Sequence, residues 1–240
     1  MTTIRSIFYL LFLSTTVILY AVPISILGWI VPFKITSRIS QQWALINLWA
    51  LRTFCRLDYR VEGKENMPSS NCIILCKHQS AWETIALRAL LPPEHTWVLK
   101  RELLWVPFFG WALAPLHPIA IDRKAGRRAI RQLIKEGKYR LGQGRWIVIF
   151  PEGTRVAPGQ RKPYGHGGGI LAQKSGYPIL PIAHNAGVFW RRRGINKHPG
   201  CIDVVIGKPL DTKGLSSTDI TRRAEDWIES SVARLPQERS

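Results

Sequence analysis

A histidine and a carboxylate stand close together in the sequence, directly after an apolar segment. Residues 71–76 (NCIILC) are typical of a buried strand, His78 follows them, and Glu83 comes early in the next predicted helix. Catalytic groups in open α/β sheets gather at the carboxyl ends of the strands. A carboxylate that accepts one imidazole N–H leaves the other ring nitrogen free to take a proton, so His78 with Glu83 is a candidate general base. The same spacing fits a capping box, in which Glu83 accepts the backbone N–H of Ser80, and the sequence leaves both roles open.

Basic groups follow three other apolar segments. Lys100, Arg123 and the turn 150–155 (FPEGTR) each come directly after a predicted strand. The candidate ligands in that turn are Glu152, Gly153, Thr154 and Arg155. Backbone donors, a hydroxyl and guanidinium groups are what a bound phosphate requires, although such a turn is also common as a structural connection. If the strand ends converge, these groups form an anion site beside His78.

The elements that must position these residues form a regular alternation from residue 57 onward. Strands are predicted at 57–61, 71–76, 96–99, 118–121, 146–150, 179–183 and 201–206, and helices at 80–91, 103–113, 124–140, 167–175 and 218–234. Several strands are apolar on both faces, as expected when helices cover both sides of a sheet. The predicted fold class is α/β: a single domain with a mixed, largely parallel sheet flanked by helices.

The N-terminal segment has the composition of a membrane anchor. From Ser6 to Phe33 there is no charged residue, and about 20 apolar residues suffice for a helix to cross a bilayer core. Pro23 and Pro32 interrupt the run, so either a spanning helix or a re-entrant helical hairpin is predicted within 1–56. A cleaved signal sequence and a buried core helix are less favoured alternatives.

The residues after this run indicate how the chain is oriented. Lys34, Arg38, Arg52 and Arg56 precede the first acidic residue, Asp58. Positive charge marks the cytoplasmic side of a membrane segment, so we expect the rest of the chain to face the cytoplasm. The stretch 39–51, with its two tryptophans, fits an interfacial helix or a packed core helix equally well.

Charge and cysteine content narrow the range of partners. The 240 residues carry 34 Lys+Arg against 16 Asp+Glu, a formal net charge of +18, which favours an anionic partner. One predicted helix, 124–140, has a basic face, and residues 191–193 form a second basic cluster. Each is either a solvated surface or a contact for anionic lipid or an acidic protein. The four scattered cysteines argue against a disulfide framework and a zinc site, and are typical of a reducing compartment.

Residues 57–185 resemble the glycerolipid acyltransferases, most closely the lysophosphatidic acid acyltransferases. The family's His-x4-Asp motif is matched by His78 to Glu83, with Glu in place of the usual Asp. Its Phe-Pro-Glu-Gly-Thr-Arg motif is matched at every position of 150–155. Weaker matches are 119–123, which ends in Arg123, the apolar strand 179–182 with its proline, and the glycine run 167–169.

The resemblance implies an acyltransferase domain at 57–240 behind an anchor at 1–56. It implies transfer of a fatty acyl chain from acyl-CoA or acyl carrier protein to the free hydroxyl of lysophosphatidate, giving phosphatidate. His78 would be the general base and Glu83 would orient it. Lys100, Glu152, Gly153, Thr154 and Arg155 would bind substrate together with Arg123. No metal or bound cofactor is implied, membrane lipids are the expected partners with acyl carrier protein as a further one, and a bacterial-type inner membrane is the expected location.

Several alternatives fit the same residues. Another lysolipid, such as a lyso-ornithine lipid, would suit the same machinery as acceptor. Cys76 could form an acyl-enzyme, and His166 with the glycines after it is similar to an oxyanion segment of lipases, although the chain has no GxSxG motif. A non-catalytic basic protein that binds membrane surfaces or nucleic acid would also suit the charge, but no nucleic-acid motif is present, and nucleic acid is not an expected partner.

Overall fold

The computed structural model describes residues 1–239. Its N-terminal part is a helical hairpin, formed by α1 (Thr2–Leu27) and α2 (Phe33–Cys55). The two helices run antiparallel, since the rings of Phe12 and Phe54 lie 5.6 Å apart and the Asn47 amide donates to Thr16 Oγ1 at 3.1 Å. α1 continues through Pro23 and ends before Pro32, so only the second proline coincides with a break in the apolar run.

Seven strands among the described residues form one sheet. They are β1 (Leu57–Glu62), β2 (Ile73–Cys76), β3 (His95–Lys100), β4 (Ile119–Ile121), β5 (Trp146–Ile149), β6 (Ile179–His184) and β7 (Gly200–Ile206). The strand order is β1-β7-β6-β2-β5-β3-β4, and every neighbouring pair is parallel except β6 with β7. β2 to β6 therefore end at the same edge, and the predicted mixed, largely parallel α/β sheet is confirmed.

The remaining helices cover both faces of this sheet. They are α3 (Trp82–Leu90), α4 (Phe109–Leu113), α5 (Arg127–Gly142), α6 (Gly167–Ser175), α7 (Ala186–Phe189) and α8 (Ser217–Arg234). The predicted helix 103–113 is wrong, because the chain forms a 3₁₀ turn at Arg101–Trp105 and resumes as the short α4. Pro107 lies between the two and cannot continue a helical hydrogen-bond ladder.

Alternate residues of the strands pack into two separate hydrophobic cores, one on each face of the sheet. Ile74 and Cys76 pack with α2 and α3, whereas Ile73 and Leu75 pack with the residues of α5, α6 and α8. This period of two follows from strand geometry, which points successive side chains to opposite faces. The residues directly after β2 inherit the same alternation, and this decides which side of the sheet His78 faces.

Candidate active site

His78 and Glu83 form a hydrogen-bonded pair at the end of β2. The His78 Nδ1 atom lies 2.7 Å from Glu83 Oε1, and the carboxylate is buried. An ionised carboxylate can only accept, so Nδ1 carries the proton and donates it. The Nε2 atom is then left as an acceptor, on a side chain that is 14% exposed. This is the arrangement that a general base requires.

Glu83 also holds the backbone of the turn before α3. Its Oε1 atom accepts the N–H of Gln79 at 2.8 Å, and both carboxylate oxygens accept the N–H of Ser80, at 2.8 and 3.0 Å. The capping contact and the contact with His78 therefore coexist. Burial alone would raise the pKa of Glu83, but nearby His184, His78 and the Ser80 N–H together hold it below the usual value. Glu83 is thus a stable anion beside the imidazole.

Residues 150–156, the turn and the residue after it, contact His78 on three sides. The Phe150 ring stacks on the imidazole with centroids 4.0 Å apart, and the N–H of Val156 donates to the His78 carbonyl at 2.8 Å. Glu152 Oε2 accepts the backbone N–H of His78 at 2.7 Å. Residues 150–156 therefore fix both the ring and the main chain of the histidine.

Glu152, a predicted substrate ligand, lies behind the site and does not line the cavity. Its side chain is buried, and Oε1 lies 2.7 Å from Lys77 Nζ while Oε2 is used by His78. Burial raises its pKa to about 7, although Lys77 acts in the opposite direction. Both oxygens are thus occupied by groups of the protein.

The other predicted ligands line one cavity of about 490 Å³ together with His78. They are Lys100, Arg123, Gly153, Thr154 and Arg155. Arg123 donates to the Gly153 carbonyl, and Gly153 has a φ of +68°, a left-handed conformation that favours glycine. Lys100 Nζ lies 3.0 Å from Glu102. The ends of β3, β4 and β5 therefore bring their cations to the same cavity as the imidazole that follows β2.

Away from these cations, the wall of the cavity is mainly apolar. Its apolar wall comes from α1, α2, α3 and β3, and includes Val17, Ile24, Trp43, Ile85 and Trp97. The sequence motifs gave no sign that the N-terminal hairpin would line the site. Arg192 and Arg193 also line it, and Arg192 donates to the Arg155 carbonyl at 3.1 Å. The run of three arginines was visible in the sequence, but its position beside the turn 150–155 was not.

Two alternative chemistries find little support in this geometry. Cys76 is buried, and burial raises the pKa of its thiol well above the usual value, which disfavours the thiolate that a nucleophile needs. The glycines after His166 lie in α6, where Gly168 packs on Leu75 and Gly169 packs on α8. Within residues 1–239 there is no group of three or more His, Cys, Asp or Glu side chains that could hold a metal ion.

Comparison with known proteins gives a consistent result. Residues 58–185 match the family model described as Acyltransferase. A 1-acyl-sn-glycerol-3-phosphate acyltransferase of Pseudomonas aeruginosa is 43% identical over 236 residues, covering 97% of this chain and 91% of that protein. Another protein of that name, from Saccharomyces cerevisiae, is 31% identical over 75% of this chain and 61% of its own. The crystal structure of the 1-acyl-sn-glycerophosphate (LPA) acyltransferase PlsC from Thermotoga maritima has the same fold, with a TM-score of 0.81, 21% identity, and coverage of 100% of this chain and 98% of that chain.

Proposed function

This chain belongs to the acyltransferase family, and from that membership we propose that it transfers a fatty acyl chain from a thioester donor to the free hydroxyl of 1-acylglycerol 3-phosphate. The product is phosphatidate, so the enzyme serves phospholipid synthesis. The Pseudomonas relative, which is similar over nearly the full length, carries this activity in its name. The single observation on which the proposal rests is a carboxylate-bound imidazole that shares one cavity with Arg123 and Arg155.

His78 acts as the general base of the transfer. Its Nε2 atom takes the proton of the acceptor hydroxyl while the hydroxyl oxygen attacks the thioester carbonyl carbon. The resulting tetrahedral intermediate collapses, the C–S bond breaks, and the departing thiolate takes the proton back from the imidazolium. Glu83 holds the ring by Nδ1 and stabilises its positive charge, as the carboxylate of a catalytic triad does.

The cations of the cavity hold the phosphate of the acceptor. Arg123 and Arg155 supply guanidinium groups that bind a phosphate through two hydrogen bonds each, and Lys100 and Thr154 add a charge and a hydroxyl. A phosphate fixed in this way places the acceptor hydroxyl against His78 and so reduces the entropy cost of the reaction. The apolar wall between α1, α2 and β3 accommodates an acyl chain.

The donor and the location follow from charge and from the N-terminal hairpin. Acyl-CoA or acyl carrier protein supplies the thioester, and a formal net charge of +18 favours an acidic carrier protein and anionic lipids over nucleic acid. α1 is long and apolar enough to span a membrane. Its most apolar stretch of 18 residues has a mean hydropathy of 2.2, and only 17% of that stretch is buried in the protein. The positive residues after α1 favour a catalytic domain on the cytoplasmic side of a bacterial-type inner membrane.

The decisive experiment compares membranes that contain the wild type with membranes that contain His78→Ala. With lysophosphatidate and a labelled acyl donor, we expect labelled phosphatidate from the wild type and a loss of about 10²–10⁴-fold in the variant, the usual contribution of general-base catalysis. His166→Ala, which changes an exposed histidine in another turn, is the matched control and should retain full activity.

Two results would contradict the proposal. One is phosphatidate formation by His78→Ala at the wild-type rate. The other is a wild type that acylates a lysolipid without a phosphomonoester, such as a lyso-ornithine lipid, but leaves lysophosphatidate unchanged. The second outcome would keep the reaction type and replace the acceptor.

A further inference from the structure

A buried cluster of charged residues lies on the far side of the sheet from the cavity. We propose that Lys77, Glu152 and Glu229 form a positioning unit that holds the main chain of His78 in the geometry needed for proton transfer. The inference rests on the proposed function, since it concerns the same histidine. It adds Lys77 and Glu229, which do not line the cavity; Glu229 lies on a helix beyond the segment 58–185 that matches the family model.

Lys77 belongs to the opposite face of the sheet from His78. Strand alternation sends Ile73 and Leu75 to the core beneath α6 and α8, and Lys77 follows the same alternation. Its Nζ atom lies 2.7 Å from Glu152 Oε1 and 2.7 Å from Glu229 Oε1, and its side chain is 1% exposed. An ammonium group buried to this extent must be paired, and here it is paired twice.

Glu229 comes from α8 and has partners of its own. Its Oε1 atom also accepts a hydrogen bond from the Tyr164 hydroxyl at 2.9 Å, and Arg161 Nε lies 3.7 Å from Oε2. The cluster therefore ties the C-terminal helix to the loop before α6 and to the end of β2. Its contact with the catalytic machinery is the 2.7 Å hydrogen bond from the His78 N–H to Glu152 Oε2.

The cluster has two carboxyl groups and one ammonium group, so its hydrogen bond to His78 should depend on pH, which simple packing would not. Two carboxylates share the Lys77 ammonium, and their repulsion acts in the same direction as burial to raise the pKa of Glu152, to about 7. The other ionisable groups around the cluster are Cys76, Glu83, Tyr164, Arg161 and His184. An ionised Glu152 accepts the His78 N–H more strongly than a protonated one does, because charge-assisted hydrogen bonds are the stronger ones. The hold on His78 should therefore weaken as the pH falls through about 7.

The test measures in which direction the acid limb of the pH profile of kcat moves, that is, the fall of kcat at low pH. Glu229→Gln keeps the shape of the side chain but removes a negative charge that, beside the larger effect of burial, raises the pKa of Glu152, so the acid limb should move to lower pH. Lys77→Met removes the cation that lowers this pKa, so the limb should move to higher pH and kcat at neutral pH should fall about tenfold. The KM for lysophosphatidate should stay within about twofold in both variants, because neither residue reaches the cavity.

Asp226→Asn is the matched control, since it removes one carboxylate from an exposed position of the same helix and should leave the profile unchanged. The proposal would be overturned if the acid limbs of Glu229→Gln and Lys77→Met both coincided with that of the wild type, or if both moved in the same direction. If Lys77→Met does not fold, the downward shift of the near-isosteric Glu229→Gln decides alone. A wild type that forms no phosphatidate would instead refute the proposed function, so the two failures are distinguishable.

Discussion

At the scale of single residues, several neighbouring groups hold one histidine in place. The ring of His78 is fixed by Glu83 at Nδ1 and by Phe150 on its face, while Glu152 and Val156 hold its main chain. An imidazole on a short turn would otherwise be free to rotate away from a substrate. Because a displacement of about 1 Å can cost about 10²-fold in rate, this density of contacts is what a proton-transfer role predicts.

Glu83→Gln tests the electrostatic part of this arrangement. The amide keeps one acceptor oxygen but no longer stabilises the imidazolium, so we expect kcat to fall about 10²–10⁴-fold with little change in the KM for lysophosphatidate. Because the pKa of Glu83 in the folded state lies below the 4.5 of a free glutamate side chain, its contribution to stability is present above pH 4.5 and is lost as the pH falls through the folded-state pKa. The variant should therefore also lose stability at neutral pH and show a flatter decline of Tm in acid.

Thermal unfolding followed between pH 3 and pH 8, together with steady-state kinetics, would check both parts. Ser230→Ala is a suitable control for loss of a side-chain hydrogen bond within a helix, since the Ser230 hydroxyl of α8 donates to the Trp227 carbonyl and does not line the cavity. A Glu83→Gln enzyme with full kcat would mean that the carboxylate serves only as a cap.

The sequence was informative at this scale wherever a residue follows a strand directly. His78, Lys100, Arg123 and Arg155 could be assigned to one site because parallel strands end at a common edge. Glu229 could not be assigned, because an acidic residue in an amphipathic helix is normally solvated and its partner Lys77 lies far away in the chain. Pairings of this kind depend on tertiary packing that no local pattern encodes.

At the scale of elements, the glycine run of α6 allows two helices and a strand to approach closely. A Cβ atom at Gly168 would lie 2.6 Å from a Leu75 methyl group of β2, and one at Gly169 would lie 2.4 Å from the Ser217 carbonyl of α8. The run therefore serves helix packing, in contrast to the oxyanion role that the lipase-like pattern would give it. Through this packing, α8 is held where Glu229 meets Lys77.

Gly169→Val should separate α6 from α8. The contact with Ser217 is a backbone atom that cannot move without shifting the helix, so we expect a loss of about 1–3 kcal/mol in the free energy of unfolding, as for other overpacked sites. Gly142→Ala is the matched control, because this glycine ends α5 with nothing within 4 Å of the added Cβ, and it should be neutral or slightly stabilising. Urea denaturation of the two variants gives the comparison, and equal stabilities would contradict the packing argument.

Sequence periodicity located every strand of the sheet, because buried parallel strands are short apolar runs with sharp ends. It did not fix the order β1-β7-β6-β2-β5-β3-β4, which depends on crossovers between distant segments. It also joined 103–113 into one helix, since the apolar spacing continues across Pro107 while the backbone does not. Local chemistry thus decided where elements exist, and tertiary packing decided how they meet.

At the scale of the whole molecule, the apolar surface is concentrated on the N-terminal hairpin and the segment around α4. Exposed apolar side chains include Phe8, Leu11, Leu19, Ile26, Trp29, Trp49, Trp105 and Trp111. Exposed apolar patches of this extent usually mark a membrane or protein contact. Since α1 and α2 also line the cavity, the surface we expect to enter the lipid lies next to the wall we expect to hold an acyl chain. A lipid acceptor could then reach His78 without passing through water.

Replacing Leu11 and Leu19 of α1 by aspartate should detach the protein from membranes. Both side chains are about two-thirds exposed on one face of the helix, at 60% and 64%, and each charge placed at the bilayer centre costs about 2.5–3.5 kcal/mol. Tyr139→Asp, an equally exposed aromatic on α5, is the control and should leave the protein in the membrane fraction. Flotation of vesicles containing anionic lipid, at low and at high salt, measures the effect: release of the wild type by salt alone would indicate that its basic surfaces, and not α1, provide the attachment. Retention of the double variant at high salt would exclude the outer face of α1 as the anchor, because salt screens the electrostatic contacts and the apolar side chains outside α1, such as Trp49, Trp105 and Trp111, would then hold the protein.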